Sequence, residues 1–107
     1  MRKRGDDVVA ERFGRNLRRE RRREGLSQEV LAKLAGLHRT EIGRLEHGER
    51  IPRIDTLIRL ADSVGTTTTA LLDGIYWIPA PESVGTFILS IGLDQLRREA
   101  PSRKWSE

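Results

Sequence analysis

Two arginines, Arg39 and Arg44, lie in a short segment whose apolar positions are Ile42 and Leu45. An arginine guanidinium can pair with the major-groove edge of guanine through two hydrogen bonds, or it can bind a backbone phosphate. Thr40 follows Arg39 and can either pack against a thymine methyl group or remain in solvent. The segment therefore predicts a surface that contacts DNA, with at least one base contact from the two arginines.

Catalytic and metal-binding groups are scarce in the chain. The 107 residues include no cysteine, which excludes disulfides, cysteine-based zinc sites and a cysteine nucleophile. The two histidines, His38 and His47, have no further histidine or cysteine to complete a metal site. No glycine-rich phosphate loop and no recognisable Ser/His/Asp constellation is present. We therefore expect no enzymatic activity, no metal and no cofactor.

The arginine-bearing segment is the second of two short helices that the sequence predicts. Ser27 is a favourable N-cap for the first helix, and Gly36 ends it with a positive φ. The second helix runs from about Arg39 to His47, and Gly48 ends it. Two short amphipathic helices around a glycine are typical of a helix-turn-helix. The stripe expected to be buried on the first helix comprises Leu31, Leu34 and Ala35.

A longer helix is predicted before this pair, over residues 8–24. Val9, Phe13 and Leu17 recur every four residues and form one apolar stripe. Continuing the stripe by four residues reaches Arg21, a charge where a core residue is expected. Because an unpaired buried charge is very costly, Arg21 needs a carboxylate partner.

Helical periodicity resumes after the linker proline, Pro52. It predicts a fourth helix from Ile54 to Val64 and a short fifth helix that ends at Gly74. The five helices indicate an all-α domain over residues 8–74. Residues 1–7 form a basic arm that either reaches the DNA backbone or is an ordinary loose terminus.

The character of the chain changes after Gly74. Residues 75–78 and 86–91 are rich in β-branched and aromatic residues, so strands are plausible, with Pro79 and Pro81 breaking the first. Residues 93–100 suggest one more short helix. This extension, residues 75–107, either forms a dimer interface or folds back over the core of its own subunit. The dimerisation candidates are Tyr76, Trp77, Phe87, Ile88 and Leu89.

The positive charge is concentrated near the N-terminus. The net charge is +4 and the pI about 10.3. Residues 1–25 hold ten Lys and Arg against five Asp and Glu. Such a basic end attracts a polyanion such as nucleic acid, although it could also be a solvated helix face. No apolar run approaches membrane-spanning length and no signal peptide is visible, so we expect a cytoplasmic protein without membrane contact.

Residues 17–74 resemble the phage-repressor type of helix-turn-helix domain, the lambda-repressor-like or Cro-type family. His38 departs from this pattern because a serine or threonine usually caps the helix there. Gly43 departs as well, because it replaces a small polar residue and weakens the helix by roughly 0.5–1 kcal/mol. The matching residues include Leu17, Arg18, Arg21, Gly25, Leu26, Ser27, Gln28, Ala32, Leu34, Ala35, Gly36, Ile42, Arg44, Leu45, Glu46, Gly48, Pro52, Thr56, Leu57, Leu60, Ala61, Gly65, Leu71, Leu72 and Gly74.

The resemblance implies a role for several residues. Arg21 and Glu46 would form a partly buried ion pair that ties the first helix to the third. Gln28 would lie at the DNA backbone or brace the third helix, and Ser27 could instead serve only as a cap. His38 could equally be passively exposed. The implied base-contacting residues are His38, Arg39, Thr40 and Arg44. The implied phosphate-contacting residues are Ser27, Gln28, Gly43, His47, Arg50 and Arg53.

We therefore expect a sequence-specific transcriptional regulator of double-stranded DNA. The interpretation that fits best is a repressor that binds a palindromic operator as a homodimer, with its third helix in the major groove. The alternative is an antitoxin-type autoregulator whose C-terminal segment binds a partner protein.

Overall fold

The computed structural model describes the backbone of residues 5–80 and 83–89 and the side chains of residues 7–79. The described elements are α1 (Gly5–Arg23), α2 (Gln28–Ala35), α3 (Arg39–Glu46), α4 (Ile54–Ser63), α5 (Thr68–Leu71), β1 (Ile75–Ala80) and β2 (Ser83–Leu89). The helices pack as a bundle in which α1 lies on α3, and α2 lies on both α3 and α4.

The five predicted helices are all present, with small shifts at their ends. Helix α1 begins at Gly5 rather than Val8, so residues 5–7 belong to the helix and not to an arm. Asp7 contributes a carboxylate to the first turn, which favours helix at the positive end of the dipole. His47 and Val64 are C-caps rather than the last helical residues of α3 and α4.

One apolar core joins all five helices. Its largest fully buried side chains are Phe13, Leu17, Leu31, Ile42, Leu45, Leu60, Val64 and Leu71. Leu34, which was expected in the buried stripe of α2, is instead 59% exposed. Helix α2 has only eight residues, and Ala32 takes the inward position beside Leu31 and Ala35. Small residues on that face allow close helix approach, which leaves Leu34 on the rim.

The turn of the helix-turn-helix is held by its two caps. The Ser27 hydroxyl accepts a hydrogen bond from the Val30 amide at 3.0 Å and so caps α2. Gly36 has φ 70°, and the Leu37 amide donates to the Ala32 carbonyl at 2.8 Å. These bonds are those of a glycine-ended helix, and they set the angle at which α3 leaves α2.

A glycine lets α1 lie directly on the C-terminal end of α3. A methyl group at Gly14 would stand 2.5 Å from the Leu45 carbonyl oxygen and 2.7 Å from that of Glu46. Only a residue without a side chain permits this approach. The close contact places the exposed face of α1 beside the end of α3.

Asn16 is a buried polar residue that no pattern in the sequence predicted. Its side-chain amide donates to the carbonyls of Leu71 at 2.9 Å and Asp73 at 2.8 Å. The Arg12 guanidinium also donates to the Asp73 carbonyl, at 3.0 Å. These bonds satisfy carbonyls at the end of α5 and connect that end to α1.

The two strands form an antiparallel hairpin after Gly74. Trp77 is paired with Phe87, and Ile75 with Leu89. Pro79 was expected to break the first strand, but it lies within β1, at an irregularity between Ile78 and Ala80. A proline is tolerated at such a position because it need not donate a ladder hydrogen bond. The helix expected over residues 93–100 lies outside the described residues.

Within the described residues, no helix combines the length and the apolar character that crossing a membrane requires.

Candidate nucleic-acid interface

Helix α3 has a buried side and an exposed side. Ile42 and Leu45 are fully buried in the core. Arg39, Thr40 and Arg44 are exposed on the opposite side of the helix. The periodicity of the segment thus presents both arginines to solvent while the helix itself is fixed.

An open groove gathers most of the candidate contact residues. Six of them line it: Gln28, Arg39, Thr40, Gly43, Arg44 and His47. Glu49 also lines it, although it was not among the predicted contact residues. No sequence signal singles out Glu49, because it lies in the loop after Gly48 and only the path of that loop brings it to the groove.

Gly43 lines the groove and leaves space there because it has no side chain. A methyl group built on Gly43 would meet no atom of the described structure within 4 Å, and the residue has no positive φ. Neither packing nor backbone conformation therefore requires glycine there. The surface is left open for a closely approaching partner.

An ion pair holds the C-terminal end of α3. The Arg21 guanidinium donates to both carboxylate oxygens of Glu46, through Nε to Oε2 and through Nη2 to Oε1 at 3.0 Å. Gln28 Nε2 donates to the same Oε1 at 3.1 Å. Arg21 Nη1 also donates to the Leu26 carbonyl at 2.8 Å. Hydrogen bonding to Glu46 raises the pKa of Arg21 above its ordinary value, against the opposing effect of burial.

The remaining candidate phosphate contacts lie outside the groove lining. Ser27 is exposed at the N-terminus of α2. Arg50 forms an ion pair with Glu41 at 3.4 Å. Arg53 precedes α4, pairs with Asp55 at 3.3 Å, and has a side chain that is 84% exposed. The base-contact candidate His38 is exposed at the N-cap of α3 and makes no side-chain capping bond.

The dimerisation candidates lie on the hairpin. Trp77 is 45% exposed and Tyr76 is half-buried. Phe87, Ile88 and Leu89 belong to β2 and are paired with Trp77, Tyr76 and Ile75 respectively. Leu72, which precedes the hairpin, is exposed as well.

A cluster of side chains suited to metal binding is absent from the part of the chain that the structure describes. Apart from the carboxylate of Glu49, the polar groups that line the groove are guanidinium, imidazole, amide and hydroxyl groups. Such groups bind phosphates and base edges.

Comparison with known proteins identifies the family. A family model described as a helix-turn-helix domain matches residues 12–73, which is more than half of the chain. The chain belongs to the helix-turn-helix domain family. The matched segment includes α2, α3 and the groove between them, and it ends before the hairpin.

The relatives of this helix-turn-helix protein include regulators. It is 44% identical over 64 residues to the control protein C.SmaI of Serratia marcescens, covering 60% of this chain and 76% of the relative. It is 34% identical over 64 residues to an SPbeta prophage-derived HTH-type transcriptional regulator of Bacillus subtilis, covering 60% of this chain and 59% of the relative. These proteins are regulators, so the prediction that the chain is not an enzyme is confirmed.

Solved structures show the same fold. The restriction-modification controller protein C.AhdI of Aeromonas hydrophila is 36% identical, with a TM-score of 0.58 over 60% of this chain and 97% of that chain. The P22 c2 repressor, solved with a synthetic operator, has a TM-score of 0.54 over 57% of this chain and 92% of its own. At 24% identity, the P22 comparison supports the fold alone. The lambda-repressor-like fold expected from the sequence is thereby confirmed.

Proposed function

We propose that this helix-turn-helix protein is a sequence-specific transcriptional repressor whose α3 enters the DNA major groove. The observation that carries the proposal is the arrangement of α3. Its apolar residues Ile42 and Leu45 are buried, while Arg39, Thr40 and Arg44 point out together into one groove. A short helix with that division of faces suits the major groove, which admits one α-helix.

Some of the candidate residues would contact DNA bases, and others would contact the DNA backbone. Arg39 and Arg44 supply guanidinium groups that can bind guanine O6 and N7 in pairs, and Thr40 supplies a methyl group for thymine. His38, which directly precedes Arg39, would contact a base at the edge of the same surface. The contacts to the DNA backbone would come from Gly43 within α3 and from residues before and after that helix, namely Ser27, Gln28, His47, Arg50 and Arg53.

Gln28 has a second role in this proposal. Its side-chain amide is held by Glu46, which is in turn held by Arg21. A side chain fixed in this way loses less rotational freedom when it binds phosphate, so less entropy is lost on binding. The network would therefore orient the N-terminus of α2 and the end of α3 toward the same stretch of DNA.

A homodimer on a palindromic operator completes the proposal. Helix α3 has eight residues and is therefore about 12 Å long, enough to read only a few base pairs. Two copies would read half-sites about one helical turn, roughly 34 Å, apart. Support for the hairpin as the dimer interface comes from its exposed Trp77 and from its outer strand edges, which pair with no other strand among the described residues.

The regulatory role draws support from the relatives. One similar protein is named a control protein and another a restriction-modification controller protein. We infer from them a role in controlling transcription rather than any particular target gene. The protein would act in the cytoplasm, on the DNA that it regulates.

Selection of bound duplexes from random-sequence DNA tests the proposal. The expected result is a palindromic consensus with two half-sites, followed by reduced expression of a reporter placed behind that consensus. Recovery of sequences with no common element, together with equal affinity for any duplex, would contradict sequence-specific recognition. Increased reporter expression would contradict repression.

One observation favours a second function, that of an antitoxin-type autoregulator. The hairpin follows the family-matched segment of residues 12–73 and carries the exposed Trp77, so it is a surface beyond the DNA-binding unit. Co-expression with the small protein encoded by an adjacent gene would test this function. We expect a stable complex to form with the full chain but not with a chain ending at Gly74. Full-length chain that never co-purifies with that neighbour would contradict it.

A further inference from the structure

The arginines of α1 are of two kinds. Four of them are committed to partners within the molecule. Arg19 and Arg23 approach Glu20 at 3.0 and 3.4 Å, Arg12 approaches Asp73 at 3.7 Å, and Arg21 holds Glu46. These four side chains already have local counter-charges and contribute to the packing of α1.

The other three, Arg15, Arg18 and Arg22, are exposed. Among the described residues, no hydrogen bond or ion pair to any of them is found. Their spacing of three and four residues places them on one face of the helix, opposite the buried Phe13 and Leu17. We call these three residues the α1 arginine strip.

The strip borders the proposed recognition groove. Arg15 and Arg18 line a second groove together with Glu11, Glu46 and His47. His47 lines the recognition groove as well, so the two grooves meet at that residue. The close approach at Gly14 explains the geometry, because it sets α1 directly against the end of α3.

The charge balance of the second groove favours an anion. Its Glu46 carboxylate is already occupied by Arg21 and Gln28. Glu11 is the other carboxylate in the lining, which also contains the two guanidinium groups of Arg15 and Arg18. Like charges on neighbouring turns of a helix repel one another, and a bound polyanion would remove that repulsion.

We propose that the α1 arginine strip binds DNA phosphates that flank the base pairs read by α3. This inference rests on the proposed function, and it extends the DNA-contacting surface from the helix-turn-helix to the first helix. From Arg15 to Arg22 the strip covers about 10 Å of helix, comparable to three base-pair steps of about 3.4 Å each. Such contacts position the protein without reading sequence.

The salt dependence of DNA binding provides the test. The double variant Arg15→Gln/Arg18→Gln removes two charges from exposed positions, so folding should be unaffected. With a short random-sequence duplex, the slope of log K against log salt between about 50 and 200 mM should fall in magnitude by roughly 1.8, or about 0.9 per lost phosphate contact. Affinity for a selected duplex should fall by the same factor as affinity for the random one.

A matched variant separates a local contact from loss of net charge. Lys33→Gln/Arg59→Gln also removes two charges, from exposed positions on α2 and α4 that line neither groove. Its salt slope should equal that of the wild type. An equal decrease in both double variants, or no decrease in the Arg15/Arg18 variant, would overturn the proposal.

The two proposals fail in different ways. If the wild-type protein binds no duplex even at low salt, the proposed function itself is wrong. If the wild type binds and Arg44→Ala reduces sequence preference, while the Arg15/Arg18 variant keeps the wild-type slope, only the strip is wrong. Circular dichroism and thermal unfolding of each variant would establish that the comparison is made between folded proteins.

Discussion

Arg21 and Glu46 join helices α1 and α3 through two parallel hydrogen bonds. The two side chains are only 10% and 4% exposed, so the pair is largely withdrawn from water. The same carboxylate accepts a third bond from Gln28, at the start of α2. A single carboxylate therefore connects three helices at the end of the helix that we propose reads DNA.

Removing either partner of this pair is expected to destabilise the protein by about 3 kcal/mol, because the other charge would remain buried without a counter-charge. Urea unfolding of Glu46→Ala, Arg21→Ala and the double variant would measure this. The double variant should lose clearly less than the sum of the single losses. Arg53→Ala is the control, since its exposed ion pair should contribute less than about 1 kcal/mol. Strict additivity of the two losses would contradict a direct interaction.

The pair should stabilise the fold equally at neutral and mildly alkaline pH. Its hydrogen bonds raise the pKa of Arg21. A basic group whose pKa is raised by folding stabilises the folded state below its unfolded-state pKa and loses that effect only as the pH rises through the folded pKa. Because arginine titrates far above neutrality, the stability difference between wild type and Arg21→Ala should stay constant from about pH 7 to 9. A difference that disappears over that range would contradict this assignment.

Arg39→Ala and Arg44→Ala are expected to weaken binding to a selected duplex more than binding to a random one. A bidentate guanine contact contributes about 1–3 kcal/mol, which corresponds to a loss of roughly 5- to 150-fold in affinity. Fluorescence anisotropy at one salt concentration would measure both duplexes. Lys33→Ala, which removes an exposed charge from the last turn of α2, should change neither affinity appreciably. Equal losses on both duplexes would mean that the arginine concerned binds phosphate only.

Gly43→Ala should affect folding and DNA binding in opposite directions. Helix α3 should become more stable by about 0.5–1 kcal/mol, since the added methyl group meets open space in the protein. The same methyl group would intrude where a DNA backbone approaches, so affinity for duplex DNA should fall. Gly36→Ala offers the contrast, because its φ of 70° makes alanine unfavourable and lowers stability. An alanine variant at position 43 that binds DNA as tightly as the wild type would argue against close backbone contact there.

Trp77→Glu is expected to convert the proposed dimer into a monomer, because it places a charge in an apolar interface. Size-exclusion chromatography with light scattering would report the mass. Ile58→Glu is the matched control, since Ile58 is similarly exposed but lies on α4. If the α4 variant dissociates and the Trp77 variant does not, the dimer interface lies on the helical face and not on the hairpin. A chain ending at Gly74 that remains dimeric would lead to the same conclusion.

Local sequence patterns determined where α2 begins and ends. Ser27 and Gly36 specify caps through their own chemistry, and the structure shows both in those roles. The spacing of Ile42 and Leu45 determined which face of α3 is buried, because a helix repeats every 3.6 residues whatever packs against it. The order of the helices and the spacing of these residues also sufficed for the family to be named correctly.

The environments of Leu34, Pro79 and Asn16 depend on which surfaces meet in the folded protein. Sequence periodicity does not carry that information. Leu34 fits an apolar stripe, yet Ala32 takes the inward position because α2 packs closely against its neighbours. Pro79 reads as a strand breaker, but an irregular edge position next to β2 accommodates it. Asn16 has the polar character of a surface residue, but it is buried because carbonyls at the end of α5 accept its hydrogen bonds.

The two grooves likewise differ in how far the sequence alone predicts them. Arg39 and Arg44 could be assigned to a surface from the sequence, because both lie on one short helix. The meeting of Arg15 and Arg18 with His47 could not be predicted, since it requires α1 to cross α3 at Gly14. Local patterns specify helices and their faces because they follow from bonded geometry and capping. The tertiary structure decides which faces become adjacent, because adjacency follows from packing between residues that are distant in the chain.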